Sequence, residues 1–203
     1  MLRALSVLFL ISIVICMING QCQKVYESGV NANDQATILN KHNALRLQLA
    51  KGEVSGQPKA CNMKRLKYDS RLADEAQKIA NTCKFAHVSV HDSRWTWIGQ
   101  NLYMTMSTAL STGADWNSAV QVWFNEHNNY HYPDNPSSNT GHYTQVAWAD
   151  TEFVGCGYTN YENNDGYRYK KLYVCNYGPG GNIVGRPPYK TIQNGQCGCQ
   201  NLC

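Results

Sequence analysis

Apolar side chains return along this chain with changing periods, and each change marks a new element. Ile38, His42, Leu45 and Leu49 recur at spacings of 4, 3 and 4, which predicts a helix over about 35–51 that Gly52, Gly56 and Pro58 end. The residues before it, 21–33, form a polar lead with no predicted element. Residues 63–68 read as a short extended entry. Asp69 or Ser70 then caps a second helix whose buried stripe is Leu72, Ala76, Ile79 and Cys83. Residues 84–97 have no sustained period and carry His87, His91, Trp95 and Trp97, so they read as a long loop of the kind that often serves function. From Leu102 to Met106 apolar and polar residues alternate, which predicts a strand beginning near Gly99.

Asp115 opens a third helix with the stripe Trp116, Ala119, Val120, Trp123 and Phe124, and Glu126 sits at its border. A carboxylate there needs a partner or a purpose. Residues 130–140 contain Tyr130, Tyr132, Pro133 and Pro136 and read as a loop whose aromatics either lie exposed for an apolar ligand or fold back onto the domain. The run Gly141-His142-Tyr143-Thr144-Gln145-Val146-Ala147-Trp148 comes next, and as a helical turn it sets His142 on one side with Gln145 and Val146.

The most specific geometric expectation comes from Asn164-Asp165-Gly166-Tyr167, a two-residue hairpin signal. A turn centred between Asp165 and Gly166 pairs residues whose numbers add to 331. Cys156 then lies opposite Cys175, Tyr158 opposite Tyr173 and Val154 opposite Tyr177, so a Cys156–Cys175 disulfide is predicted from register alone.

Composition adds a compartment. Residues 1–20 carry one charge, Arg3, then an apolar run and a small residue, the layout of a secretory leader. Its removal takes Cys16 and leaves eight of the nine cysteines, an even set that implies a disulfide framework in a secreted protein. The pairing of Cys22, Cys61, Cys83, Cys197, Cys199 and Cys203 stays open. No later run is apolar enough to span a membrane. The chain has 203 residues and net charge +4, with basic residues scattered rather than striped, so nucleic acid is not an expected partner. Residues 21–190 are read as one domain and 191–203 as a short Cys-rich tail.

Several histidines compete as chemical candidates. His42 and Arg46 share a helix face and read as structural polar groups tying that helix to its neighbours. His127 and His131 stand four apart where Pro133 suggests the helix is ending, and Val88 and Val90 make a helix carrying His87 and His91 unfavourable. No serine stands in a nucleophile-elbow setting, which disfavours a Ser-His-Glu hydrolase.

With residues 141–148, 173–182, 42–46 and 66–80 in view, the chain resembles the CAP superfamily, also called SCP/TAPS, over about residues 36–189. That group takes in cysteine-rich secretory proteins, insect venom allergens, plant pathogenesis-related proteins and nematode venom-allergen-like proteins. The resemblance implies an α+β fold, a three-layer α-β-α sandwich around a small central antiparallel sheet, stabilised by disulfides. It also implies a cleft carrying two His and two Glu, which fall here at His87, His142, Glu126 and Gln100, so that Gln100 in Gly99-Gln100-Asn101 replaces one carboxylate. His87, Glu126 and His142 could then hold a weak zinc or other divalent site, with no cofactor required. The 130–140 loop is similar to the family segment implicated in sterol binding. The resemblance therefore implies a secreted, non-enzymatic venom-allergen-like protein that binds a host or extracellular protein, a sterol or a fatty acid. The alternative is a metal-dependent hydrolase using the His/Glu cleft.

Overall fold

The computed structural model describes residues 22–164, 166–192 and 202. The leader, Asp165 of the hairpin turn and the tail cysteines Cys197, Cys199 and Cys203 lie outside the described residues. The elements run β1 (Lys24–Ser28), α1 (Ala32–Lys51), β2 (Lys67–Tyr68), α2 (Ser70–Ala80), β3 (Gly99–Ser107), α3 (Trp116–Asn125), a 3-10 turn (Glu126–Asn129), α4 (Gly141–Val146), β4 (Phe153–Glu162) and β5 (Tyr169–Gly178). The strands order β1-β4-β5-β3 with antiparallel pairing, and the two residues of β2 lie parallel to β4.

The register of β4 and β5 is the one the turn predicts: Cys156 pairs with Cys175, Tyr158 with Tyr173 and Val154 with Tyr177, and the disulfide is formed. Successive residues of β5 point to opposite faces. Tyr173, Cys175 and Tyr177 join α1, α3 and α4 in the larger core, while Leu172 and Val174 join α2 in the smaller one. This gives the three layers expected. The approach of α2 is very close, because a Cβ at Gly155 or Gly157 would lie 2.2–2.4 Å from α2 backbone atoms. Only glycine lets the helix rest directly on the strand.

Two element boundaries differ from expectation. The polar lead contains β1, an edge strand paired to β4, and α1 begins at Ala32 behind an Asn31–Asp34 capping box. The second helix ends at Ala80, so Cys83 stands beyond it at φ +55° and closes a disulfide with Cys22 that ties β1 to the end of α2. Asp69 is the N-cap of α2, accepting from Leu72 N–H.

Arg46 and His42 are both fully buried on α1. Among the described residues the Arg46 guanidinium has no carboxylate in contact. It donates to six carbonyl contacts instead: Lys64 O from Nε (2.9 Å) and Nη2 (2.6 Å), Val146 O and Trp148 O from Nη1 (2.9 and 2.8 Å), and Ala149 O and Thr151 O from Nη2 (3.3 and 3.1 Å). His42 Nδ1 meets Ile38 O at 2.8 Å and its Nε2 meets the Tyr177 hydroxyl at 3.0 Å. Burial, reinforced by the Arg46 charge, pushes His42 down to about 4, so the ring is neutral and donates from Nδ1.

Two outcomes are expected. Replacing the fork by a single ammonium in Arg46→Lys strands several buried carbonyls and lowers unfolding free energy in urea by about 2–4 kcal/mol. His42 binds its proton less readily folded than unfolded, so its contribution is fully present above pH ~6.5 and is lost as pH falls toward 4, by about 3 kcal/mol at most. Denaturation midpoints measured across that window drop in the native protein and flatten in His42→Gln.

Candidate functional site

Helix α4 has six residues, too few to be stable alone, and it is held by charges at both ends. Thr140 at the N-cap makes no side-chain capping bond. Glu126, reaching across from the end of α3, supplies the cap: Oε2 accepts His142 N–H at 2.9 Å and Tyr143 N–H at 3.2 Å, and Oε1 lies 2.6 Å from His142 Nδ1. Trp123 stacks against the His142 ring at 6.3 Å between centroids. Asn101 Nδ2 donates to His142 O at 3.1 Å, and Tyr177, already bonded to His42, completes a polar path from α1 to α4.

His87 and Gln100 meet on the other side. His87 Nδ1 lies 3.0 Å from Gln100 Oε1, and the same carboxamide pairs with both backbone groups of Val88, accepting from N–H at 3.1 Å and donating to O at 3.2 Å. Gln100 Nε2 also donates to Asn176 Oδ1 at 2.9 Å. Two further bonds fix the wall: Gln145 Oε1 accepts Gly181 N–H at 2.8 Å, and Asn182 Oδ1 accepts the Thr144 hydroxyl at 2.7 Å. Gly99 is required here, since a Cβ would stand 1.9 Å from Gln145 Oε1. The resulting cleft, about 300 Å3, is lined by His87, Val88, Trp97, Gln100, Gln145 and Asn182 among others. A larger hollow of about 540 Å3 lies elsewhere, between β1 and the start of α1, but its carboxylates Glu27 and Asp34 already accept protein N–H groups.

The four residues expected in the cleft thus form two bonded pairs, Glu126–His142 and His87–Gln100. Among the described residues no group of three or more His, Cys, Asp and Glu is arranged to hold a metal ion. Glu126 is committed to the N–H groups of α4 through Oε2 and to His142 Nδ1 through Oε1, so His87, Glu126 and His142 are not arranged as a three-ligand centre. Each ring could offer only its Nε2, with Glu126 and Gln100 orienting the opposite nitrogen.

Of the two alternatives for the 130–140 loop, the structure shows the one in which the tyrosines fold back onto the domain. Tyr130 is buried and donates to Asp134 O at 2.7 Å, and its ring packs on Tyr143. Tyr132 is half-buried, stacks on Tyr189 at 5.1 Å and donates to Tyr189 O at 2.8 Å. Both tyrosines fold back and buttress α4, while Pro133 and Pro136 stay at least partly exposed. Apolar surface lies instead at the cleft mouth, where Trp97 is 55% exposed, though its Nε1 donates to Gly181 O at 3.0 Å. Asn176, fully buried on the α2-facing side of β5, was missed from sequence, although a carboxamide at a core position of an apolar strand is a readable signal.

The family model described as the cysteine-rich secretory protein family, CAP, matches residues 39–177. Salivary antigen-5 from Dipetalogaster maximus is 40% identical over 177 residues, covering 81% of this chain and 68% of that protein. The CRISP/Allergen/PR-1 protein of Trittame loki and Venom allergen 5 of Tityus serrulatus are 38% and 36% identical, but this chain spans only 43% and 48% of their lengths. Among solved structures, BmVAL-1 superposes with TM-score 0.66 at 26% identity, covering 81% of this chain and 85% of that one. The crystal structure of NaASP2 with Zn2+ gives TM-score 0.65 at 27% identity, covering 85% and 93%. Matched in its family model, its relatives and its three-layer architecture, the chain belongs to the CAP family, the cysteine-rich secretory protein family.

Proposed function

We propose that this chain is an exported CAP protein that acts by binding, not by catalysis, and that its ligand is a small apolar molecule of the sterol or lipid class seated at the cleft mouth beside Trp97. The observation that carries the reading is the division of labour in the cleft. Its carboxamides, Gln100, Gln145 and Asn182, are engaged in internal hydrogen bonds, whereas the indole of Trp97 and the side chain of Val88 are exposed. A cleft of that kind offers apolar contact with few polar groups to spare.

Neither carboxyl position of the expected set is available as a free general base. A carboxamide at position 100 takes no part in proton transfer, and Glu126 is occupied at the N-terminus of α4. Export is supported by the leader pattern, by the formed Cys22–Cys83 and Cys156–Cys175 bonds and by relatives whose names place them in venom or saliva. Among the described residues no helix is long and apolar enough to cross a membrane.

The apolar surface also extends beyond the cleft lining to Phe85 and Val184, 55% and 83% exposed, which favours a second reading in which a host or extracellular protein docks over the same rim. Pull-down from host extract with the native protein and with Trp97→Ala separates that reading from non-specific adhesion.

Titration with a fluorescent sterol and a fluorescent fatty acid tests the ligand reading. Saturable binding is expected, weakened roughly tenfold by Trp97→Ala, the ~1.4 kcal/mol that part of an indole face contributes. Tyr132→Phe, which removes only the hydroxyl bonded to Tyr189 O, leaves affinity unchanged. Affinity indifferent to Trp97, or no saturable binding, sinks the proposal.

A further inference from the structure

Gln100 has no hydrogen-bonding capacity left over. Its two N–H groups go to Val88 O and Asn176 Oδ1, and its oxygen takes Val88 N–H and faces His87 Nδ1. The orientation of the carboxamide is fixed by its partners. Reversed, it would set oxygen against the Val88 carbonyl and against Asn176 Oδ1, which is itself turned toward Gln100 because Asn176 Nδ2 donates to Leu72 O at 3.2 Å. An oxygen therefore faces His87 Nδ1, and that nitrogen must carry the hydrogen. A neutral imidazole has one N–H, so its Nε2 is left as a lone pair. His87 lines the cleft beside Val88 and Trp97, and no hydrogen bond engages its Nε2 among the described residues.

We infer that Gln100, by accepting the Nδ1 hydrogen of His87, fixes the neutral ring as a hydrogen-bond acceptor in the cleft and makes the cleft select apolar molecules that end in a hydroxyl over those that end in a carboxylate. The inference rests on the proposed binding of a small apolar ligand at this cleft, and it narrows the class of that ligand. A hydroxyl donates to Nε2 while the chain or ring system behind it lies on Val88 and Trp97. A carboxylate in the same place sets acceptor against acceptor and gains no bond from the ring.

The same bonds account for a carboxamide at this position. A glutamate could accept from His87 and from Val88 N–H, but it would face the Val88 carbonyl and Asn176 Oδ1 with nothing to donate. Gln100 is thus a positioning residue, acting on a ligand through His87.

Two measurements on the whole protein at pH 8 test this. Nitrogen-15 spectra of the histidine rings are expected to show the neutral His87 ring protonated at Nδ1, with that bias lost in Gln100→Met. Calorimetric titration with 1-decanol and with decanoate, equal in chain length, is expected to favour the alcohol roughly tenfold. His87→Phe keeps a ring but removes Nε2, and the preference then shrinks to within about twofold. A ring protonated at Nε2 in the native protein, or equal affinity for the two probes, overturns the inference. Binding of neither probe overturns the cleft reading beneath it, and the ring spectrum still decides whether Gln100 sets His87.

Discussion

A guanidinium buried with no carboxylate in contact must find a full set of acceptors or it destabilises the fold, and the path of the chain around Arg46 meets that demand. Carbonyls from Lys64, Val146, Trp148, Ala149 and Thr151 turn inward onto one side chain of α1. Three of them belong to the segment that leaves α4 and leads into β4. The same contact therefore ends α4, sets the entry to the central hairpin and joins both to α1. At the opposite end of α4 the Glu126 carboxylate takes the first N–H groups. An anion at the N-terminus and a cation at the C-terminal side match the helix dipole, so six residues that could not hold a helix alone are fixed between two long ones.

A second device recurs in the loops. Asn43 pairs with both the N–H and the carbonyl of Leu66, Gln77 with both groups of Tyr158, and Gln100 with both groups of Val88. Each carboxamide pairs with two backbone groups of one residue at once. Gln77 does so where α2 lies on Gly157, and Asn43 where α1 meets the entry to β2. Gln100 belongs to this set by geometry, which makes it a structural clamp on the 84–97 loop. Arg94 anchors the far end of that loop, pairing with Asp69 at the cap of α2 and with Asp92, whose carboxyl it holds down to about 2.

Much of this was legible in the residues. The spacing of apolar side chains located α1, α2 and α3, and the turn at Asp165-Gly166 gave the register of β4 and β5 and one disulfide, because a strand pair offers only one partner per residue once its turn is placed. Elements that depend on a neighbour's pattern were not legible. β1 is short, largely exposed and polar, and it exists because β4 has an open edge to pair with. Cys83 lay on the helical stripe by spacing, yet it stands beyond the last turn, where a positive φ aims it at Cys22. Resemblance placed four residues in one cleft; of these His87 and Gln100 line it, and the pairing of the other two was hidden, since Glu126 and His142 are 16 residues apart and meet only when α3 and α4 pack. Aromatic content likewise could not tell whether Tyr130 and Tyr132 face a ligand or the core, and Tyr143 and Tyr189 decide it.

The carboxamide of Gln100 therefore does what a carboxylate at the same point could not. A glutamate at this point would leave Val88 O and Asn176 Oδ1 without donors, and Asn176 would then have reason to turn away from Leu72. With the carboxamide, every group from Leu72 O to His87 Nδ1 has a partner of opposite character, and the polarity of the chain of bonds runs one way, from α2 outward to the cleft. On the facing side Glu126 imposes the same order on His142, with Oε1 against its Nδ1. The two imidazoles are oriented by different chemistry, a carboxamide oxygen for His87 and a carboxylate oxygen for His142, each set against Nδ1. The scaffold has fixed which ring nitrogen faces a protein acceptor.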